Sequence, residues 1–214
     1  QGGTLAFAGT FAAGTDPRDV AAADFNGDGR TDVAVSSHDT RQIILLNGAG
    51  GGSLVAGGTF GVPVNTRPEG LAAGDIDGDG DMDLVAGTGD DNNVAMNFAS
   101  VYANNGGALS GPIPYPTGGL DAGDVLLADL DVDGDLDVAV LNETSGTVAF
   151  LANAGAGTFG APTIMPFGGS PSTIVGADYD GNSSVDLAIT RRQASGVSLF
   201  TNDANGAVAA SAGQ

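Results

Sequence analysis

Four short acidic segments hold most of the side chains in this sequence that could perform chemistry. Each follows the nine-residue pattern D-x-[DN]-x-[DN]-x-x-x-D, and the segments begin at Asp24, Asp75, Asp129 and Asp178. Together they contain 16 of the 26 acidic residues, so the negative charge is concentrated in a repeated motif. In such a tight turn, oxygen atoms at positions 1, 3 and 5 converge, position 7 offers a backbone carbonyl, and position 9 completes the ligand set.

The ligand atoms of these segments indicate which ion they bind. All of them are hard oxygens, with no His or Cys, which favours calcium over zinc or copper. Magnesium fits less well, because it demands a small octahedral site. We therefore expect about four Ca²⁺ ions, one in each segment. The predicted ligands are Asp24, Asn26, Asp28, Arg30 and Asp32; Asp75, Asp77, Asp79, Asp81 and Asp83; Asp129, Asp131, Asp133, Asp135 and Asp137; and Asp178, Asp180, Asn182, Ser184 and Asp186.

The fourth segment departs from the other three. Its position 5 is Asn182, and Ser183 occupies position 6, where the other segments have Gly29, Gly80 and Gly134. Glycine readily adopts the backbone conformation of a sharp turn. We expect the fourth calcium site to be the weakest.

Two other interpretations of the acidic segments are weighed against a calcium loop between strands. An EF-hand is excluded, because position 12 is apolar in every segment where an EF-hand needs a bidentate Glu. A plain acidic turn is the alternative for any single segment, since Asp and Gly are common turn residues. Four aligned copies favour calcium. The ions would offset carboxylate repulsion and change the formal charge from −20 to −12.

The elements that must position these segments are short strands. The segments begin 51, 54 and 49 residues apart, and short apolar runs such as residues 20–23 and 33–35 flank each of them. A period of ~50 residues with few helix signals is typical of a β-propeller. The sequence predicts one all-β domain, a four-bladed β-propeller with repeats at approximately 18–66, 67–119, 120–168 and 169–214. In the second repeat, residues 94–96 and 101–103 are alternative third strands.

At this point the sequence resembles the FG-GAP/VCBS repeat family, whose blades carry a D-x-D-x-D-G-x-x-D calcium loop between their first two strands. The Phe-Gly…Pro element of that family also occurs, at residues 60–63 and 159–162. The resemblance covers essentially the whole chain. It implies an extracellular β-propeller used for adhesion, recognition or as an accessory to secreted enzymes. Many relatives have seven blades, so four repeats imply either a closed four-bladed ring or a half-ring completed by a partner chain.

Both ends of the chain look like the fourth strand of a blade. Residues 4–13 align with the fourth strand of the third repeat, and we expect them to close the ring by completing the last blade. Residues 202–208 align with the start of a fourth strand as well. One terminal strand is then surplus, and a surplus strand can pair with the open sheet edge of another subunit, which builds a homo-oligomer or a fibre.

Composition excludes several function classes. The absence of Cys removes disulfides, zinc–thiolate sites and thiol nucleophiles. A net charge of −20 with six Arg and no Lys argues against binding nucleic acid or an anionic membrane, and no apolar run is long enough for membrane insertion. His38 beside Asp39 is interpreted as a surface residue, and no catalytic motif is present. We therefore expect no enzymatic activity.

The sequence favours an extracellular, calcium-stabilised adhesion or recognition module with a glycan or surface-protein ligand. Secretion is expected, and the sequence itself contains no signal peptide. Among aromatic residues that could stack on a sugar, Tyr102 and Tyr115 are the better candidates, whereas Tyr179 is expected to pack in the core. The alternative function is a structural subunit that self-assembles into a fibre or surface layer through a donated terminal strand.

Overall fold

A computed structural model describes residues 4–90, 93–192 and 196–203. Within them the chain forms four antiparallel sheets, each made of strands that follow one another in sequence. Blade 1 contains β1 (Pro17–Ala23), β2 (Asp32–Ser37), β3 (Gln42–Gly50) and β4 (Ser53–Gly61); blade 2 contains β5 (Arg67–Gly74), β6 (Asp83–Gly89), β7 (Phe98–Tyr102) and β8 (Ile113–Pro116); blade 3 contains β9 (Ala122–Ala128), β10 (Asp137–Asn142), β11 (Thr147–Leu151) and β12 (Thr163–Pro166); and blade 4 contains β13 (Ser170–Ala177), β14 (Asp186–Arg192) and β15 (Val197–Phe200).

This arrangement confirms the predicted all-β, four-bladed propeller architecture. In the second blade the third strand is β7, whereas Val94–Met96 forms a single 3₁₀ turn, which decides between the two alternatives for that strand. The described residues contain no helix with the length and apolar character needed to traverse a bilayer.

Successive blades bury their apolar faces against each other in three clusters, one at each junction. At the junction of blades 2 and 3, for example, Val85 and Val101 pack with Val138 and Val140, all of them fully buried or nearly so. The second residue of each of the first three acidic segments belongs to the cluster that faces the following blade, as Ile76 does here. Each junction therefore joins a calcium-type loop to the core.

Small residues allow the innermost strands to approach closely. Gly87 lies directly against the backbone carbonyl of Gly123 in the next blade, where a Cβ atom would overlap that oxygen. Gly70 lies against Asp124 in the same way, 2.6 Å from a built Cβ to Cα. The abundance of Ala and Gly in the first and second strands is thus a packing requirement near the propeller axis.

A buried asparagine also fastens each of blades 2, 3 and 4 to the blade before it. The Asn153 side chain donates to Ile76 O of blade 2 at 2.7 Å and to Leu136 O of its own blade at 3.1 Å. Asn104 and Asn202 make the corresponding bonds, to Phe25 O at 3.0 Å and to Leu130 O at 2.7 Å. We call these three side chains the asparagine latches.

The strand predicted for residues 4–13 does not form, and this part of the prediction is wrong. Residues 4–14 belong to no strand, and blade 4 has three strands among the described residues. The reason lies at the end of this segment, where the Ser37 hydroxyl accepts from Thr15 N and donates to Thr15 O, both at 2.9 Å. Gly14 packs on Ile44, so the segment is held on blade 1. The second terminal candidate, residues 202–208, extends outside the described residues.

The asparagine latches provide a test of how the blades are held together. Replacing Asn153 with Ala leaves the buried carbonyls of Ile76 and Leu136 without this donor. We expect a loss of about 2–3 kcal/mol in the free energy of unfolding, measured by urea denaturation in excess calcium. The exposed Asn105→Ala variant serves as the control and should change stability by less than about 0.5 kcal/mol. Equal effects of the two substitutions would contradict the latch.

Candidate metal centres

All four acidic segments lie at the same end of the propeller. Each joins the first strand of its blade to the second, as residues 24–31 join β1 to β2. Because the four blades repeat one topology, these loops form a row along one rim. The opposite rim contains the starts of the first strands and the ends of the second strands.

In three of the segments the structure brings together the carboxylates of positions 1, 3 and 9. Their oxygen atoms lie within 4.8 Å of one another in each cluster. The first segment has an amide at position 3, and its Asn26 Nδ2 lies 3.4 Å from Asp32 Oδ1. The clusters are Asp75, Asp77 and Asp83; Asp129, Asp131 and Asp137; and Asp178, Asp180 and Asp186.

Positions 5 and 7 are arranged differently from positions 1, 3 and 9. The side-chain oxygen at position 5 accepts the backbone amide of position 7, as Asp79 Oδ1 does from Asp81 N at 2.9 Å and Asn182 Oδ1 from Ser184 N at 2.8 Å. The Arg30 side chain pairs with Asp28 at 3.4 Å. The assignment of position 5 side chains and position 7 carbonyls as ligands stays a prediction.

The loop turn itself is built from position 1. Asp75 Oδ2 accepts from Gly80 N at 3.0 Å, and Asp178 Oδ2 accepts from Ser183 N at 3.0 Å. Position 6 has a positive φ in every loop, 94° at Gly80 and 75° at Ser183. A serine in this left-handed conformation is strained, whereas glycine is not. This strain supports the expectation that the fourth site is the weakest.

Position 9 is the most deeply buried carboxylate of each loop. Asp137 is 2% exposed and accepts three backbone amides, from Leu130 and Asp131 within its loop and from Asn153 of the latch. Burial raises the pKa of Asp137 despite these bonds, and the pKa of Asp83 is raised for the same reason. Position 9 thus carries a charge that the protein solvates only in part.

The donor set fits a hard divalent cation. Every converging atom is an oxygen, and Asp131 Oδ1 is buried without a hydrogen-bond partner among the described residues. Burial and the neighbouring Asp137 and Asp133 charges raise the pKa of Asp131. An orphaned, desolvated carboxylate oxygen that points into a carboxylate cluster is suited to a metal ligand. A cation there would supply positive charge to offset the repulsion.

The aromatic residues considered for sugar stacking are placed otherwise than the sequence suggested. Tyr102 is fully buried and donates its hydroxyl to Gly61 O at 2.9 Å, so it cannot stack on a ligand. Tyr115 is half-buried against Phe159. Tyr179, expected in the core, is 47% exposed, because position 2 packs on the following blade and blade 4 is the last one described.

Sequence reasoning missed a group of charged residues at the opposite rim. His38, Glu143 and Arg192 occupy the same repeat position, six residues after the last Asp of their loops, and Glu69 faces them from β5. His38 Nε2 lies 3.2 Å from Glu69 Oε1, so His38 is a half-buried partner in this group. The signal in the sequence was that Glu69 and Glu143, its two glutamates, stand outside the acidic loops.

Comparison with known proteins identifies the family. The FG-GAP-like repeat model matches residues 24–86 and 129–189, which together exceed half of the sequence. The chain belongs to the FG-GAP-like repeat family. Each matched region begins at one acidic loop and ends in the second strand of the next blade. The two regions together therefore include all four acidic loops. A comparison with curated proteins gives no match.

Two solved structures with the same fold belong to proteins whose binding partners are known. A lectin from Agrocybe aegerita, solved to explain recognition of non-reducing terminal N-acetylglucosamine, is 21% identical with a TM-score of 0.57, over 89% of this chain and 50% of the lectin chain. BBS1N, solved in complex with ARL6DN, is 13% identical with a TM-score of 0.61, over 94% of this chain and 54% of its own. The FG-GAP chain thus spans about half the length of these proteins, and the likeness shows the fold.

The raised carboxyl pKa values generate a pH prediction for the cation-free protein. A carboxyl whose folded pKa is raised stabilises the fold below its unfolded pKa of about 4, and this contribution is lost as the pH rises through the folded value. After treatment with a chelating resin, the protein should therefore be less stable at pH 7 than at pH 5. With excess calcium this loss should disappear, because the ion binds the carboxylate form.

Asp131→Asn removes one of these charges without changing the side-chain shape. We expect the cation-free variant to be more stable than the parent at pH 7 and to gain less from calcium. Asp39→Asn, an exposed residue outside the loops, has the same change in net charge and is the control. Urea midpoints at both pH values provide the measurement, and an Asp131→Asn variant that behaves like Asp39→Asn would contradict this account.

Proposed function

We propose that this FG-GAP repeat propeller is an extracellular, calcium-stabilised and non-enzymatic recognition module. The observation that carries the proposal is the repeated carboxylate cluster, which contains one buried Asp in each copy and the unpartnered Asp131 Oδ1, in a chain without any cysteine. Millimolar extracellular calcium suits loop sites of this kind, and bound ions can replace disulfides as the source of added stability. The ligand that we propose is a glycan or a surface protein.

The fold supports recognition in a second way. A propeller of this architecture in Agrocybe aegerita recognises N-acetylglucosamine, and BBS1N binds a partner protein. In this chain the charged rim opposite the acidic loops contains none of the predicted calcium ligands and is available for a ligand. Stability and recognition are thereby assigned to opposite ends of the same blades.

Calcium dependence is the first test. The melting temperature of cation-stripped protein should rise on addition of 2 mM calcium (about the extracellular level) and rise less with the same magnesium concentration. When the free calcium concentration is 1,000 times the Kd of a site, binding adds about 4 kcal/mol to the free energy of unfolding. Asp77→Asn should reduce the rise, whereas Asp39→Asn should not. Equal melting temperatures with calcium and with chelator would overturn the stabilising role of the loops.

A second candidate function, strand-mediated self-assembly, is favoured by the segment at residues 4–14. This segment is in no strand and exposes Leu5 and Phe7. An unpaired segment with exposed apolar side chains can add to a sheet edge of another subunit.

Electron microscopy distinguishes self-assembly from a discrete module. Under the second candidate, the intact chain in 2 mM calcium forms fibres in negative stain, and a chain lacking residues 1–13 does not. Deletion up to residue 13 retains the Thr15–Ser37 bonds, so blade 1 keeps its anchor. Compact single particles from both chains would exclude strand donation and leave the recognition module.

A further inference from the structure

A cleft of about 460 Å³ opens at the rim opposite the acidic loops. The first strands of all four blades contribute to its wall, from Arg18 in β1 to Thr173 in β13. The first strands of blades 1 and 4 leave the cleft open, since Val20 of β1 is 61% exposed and Val175 of β13 is 50% exposed. A small molecule or a single extended side chain fits a volume of this size.

Two of the carboxylates in this cleft are committed to holding blades together. Asp19 Oδ2 accepts Leu71 N of the next blade at 2.8 Å, and Asp124 Oδ2 accepts Ile174 N of the next blade at 2.9 Å. Their other oxygens accept Val20 N and Val125 N. Asp19 and Asp124 therefore contribute negative charge to the cleft but offer little hydrogen-bonding capacity to a ligand.

Glu69 and Glu143 are held in a different way. In each, one oxygen is held by a basic side chain: Glu69 Oε1 lies 3.2 Å from His38 Nε2, and Glu143 Oε2 lies 2.6 Å from Arg192 Nη2. The second oxygen of each carboxylate makes no hydrogen bond among the described residues. One oxygen thus orients the carboxylate, while the other keeps its capacity to accept a hydrogen bond.

The Glu143 carboxylate packs against Gly123, which has no side chain. A Cβ atom at Gly123 would lie 2.7 Å from Glu143 Oε1, so no larger residue leaves room for this oxygen. Glu143 as a whole is 8% exposed. A largely buried carboxylate fixed on one side by Arg192 and on the other by a bare backbone is a built feature and not a solvated surface charge.

The charge of the lining indicates the chemistry of the ligand. The lining contains two guanidinium groups, on Arg18 and Arg192, and four carboxylates, on Asp19, Asp124, Glu69 and Glu143. The cleft is therefore net negative, in a chain whose formal net charge is −20. Such a cleft attracts and retains cations. The Ser172 and Thr173 hydroxyls complete the polar lining.

We propose that this cleft binds a ligand through a primary ammonium group held by Glu69 and Glu143. The proposal rests on the proposed function as a recognition module and names its ligand class. An ammonium group has three donors and no acceptor, which suits two carboxylate oxygens and a hydroxyl. The ammonium can come from an amino sugar or from a lysine side chain.

The environment of Glu143 predicts how binding depends on pH. Burial raises the pKa of Glu143 to about 7; Arg192 opposes this shift, while the charges of Asp121, Glu69 and Asp124 add to it. The ammonium pairs with the ionised carboxylate, so affinity should increase as the pH rises. With a pKa of about 7, the ionised fraction grows about tenfold between pH 6 and pH 8, and the affinity for a lysine ammonium, which stays protonated over this range, should follow.

Isothermal titration and amide NMR shifts in 2 mM calcium test the proposal. The probes are glucosamine and Nα-acetyl-lysine amide, each beside its neutral acetylated counterpart, N-acetylglucosamine and Nα,Nε-diacetyl-lysine amide. We expect at least one amine to bind with shifts at Gly123, Ser172 and Thr173, and its acetylated counterpart to bind at least tenfold more weakly. The preferred amine identifies the source of the ammonium group.

Three variants locate the binding. Glu69→Gln and Glu143→Gln should each weaken amine binding about tenfold or more, and Glu143→Gln should also abolish the pH dependence. Asp135→Asn, which removes one exposed charge at the rim of the acidic loops and keeps the backbone carbonyl, should bind as the parent does. Melting temperatures in calcium check that each variant is folded, and the pH profile of the parent tests the proposal even if a variant is not.

The outcomes separate this proposal from the calcium-stabilised module. No amine binding at 10 mM, equal binding of acetylated probes, or unchanged binding in both Gln variants would overturn the ammonium site. The calcium response of the melting temperature would be unaffected by any of these results. A protein that binds amines at the cleft but does not respond to calcium would retain the ligand site and lose the stabilising role of the loops.

Discussion

The buried carboxylate at the end of each acidic loop is the interaction on which the rest of the structure depends. Asp137 accepts amides from its own loop and from the second residue after the third strand, and Asp83 and Asp186 do the same in their blades. That second residue is the latch asparagine, which reaches the loop of the preceding blade. One desolvated charge thus connects the loop, the blade and its neighbour.

The acidic loops combine favourable hydrogen bonds with the unfavourable burial of charge. Backbone amides solvate the position 9 carboxylates, yet burial still raises their pKa values at Asp83 and Asp137. The unpaired charge of the cluster therefore costs stability, and the proposed cation would offset that cost. A chain without cysteines has no disulfides, so the proposed ion sites would supply stability that disulfides supply in many secreted domains.

The two rims of the propeller differ in how they use charge. Asp residues dominate the rim of the acidic loops, whereas the opposite rim combines glutamates with histidine and arginine partners from neighbouring blades. The ends of the blade array differ as well, because Tyr179, Val197 and Leu199 on blade 4 are exposed at positions that are buried between blades elsewhere. These apolar side chains occur in blade 4 because each repeat contains the residues with which a blade packs against the next blade.

The sequence by itself determined the repeat, the fold class and the residues of the acidic clusters, because Asp spacing within a nine-residue turn is a local property. It could not determine where the N-terminal segment lies, since the Thr15–Ser37 bonds and the Gly14–Ile44 contact join residues that only the fold brings together. The same holds for the burial of Tyr102 and the exposure of Tyr179, which depend on the presence of a neighbouring blade. The cleft was likewise decided by tertiary structure, because Glu69, Glu143 and Arg192 come from three different blades and meet only near the axis.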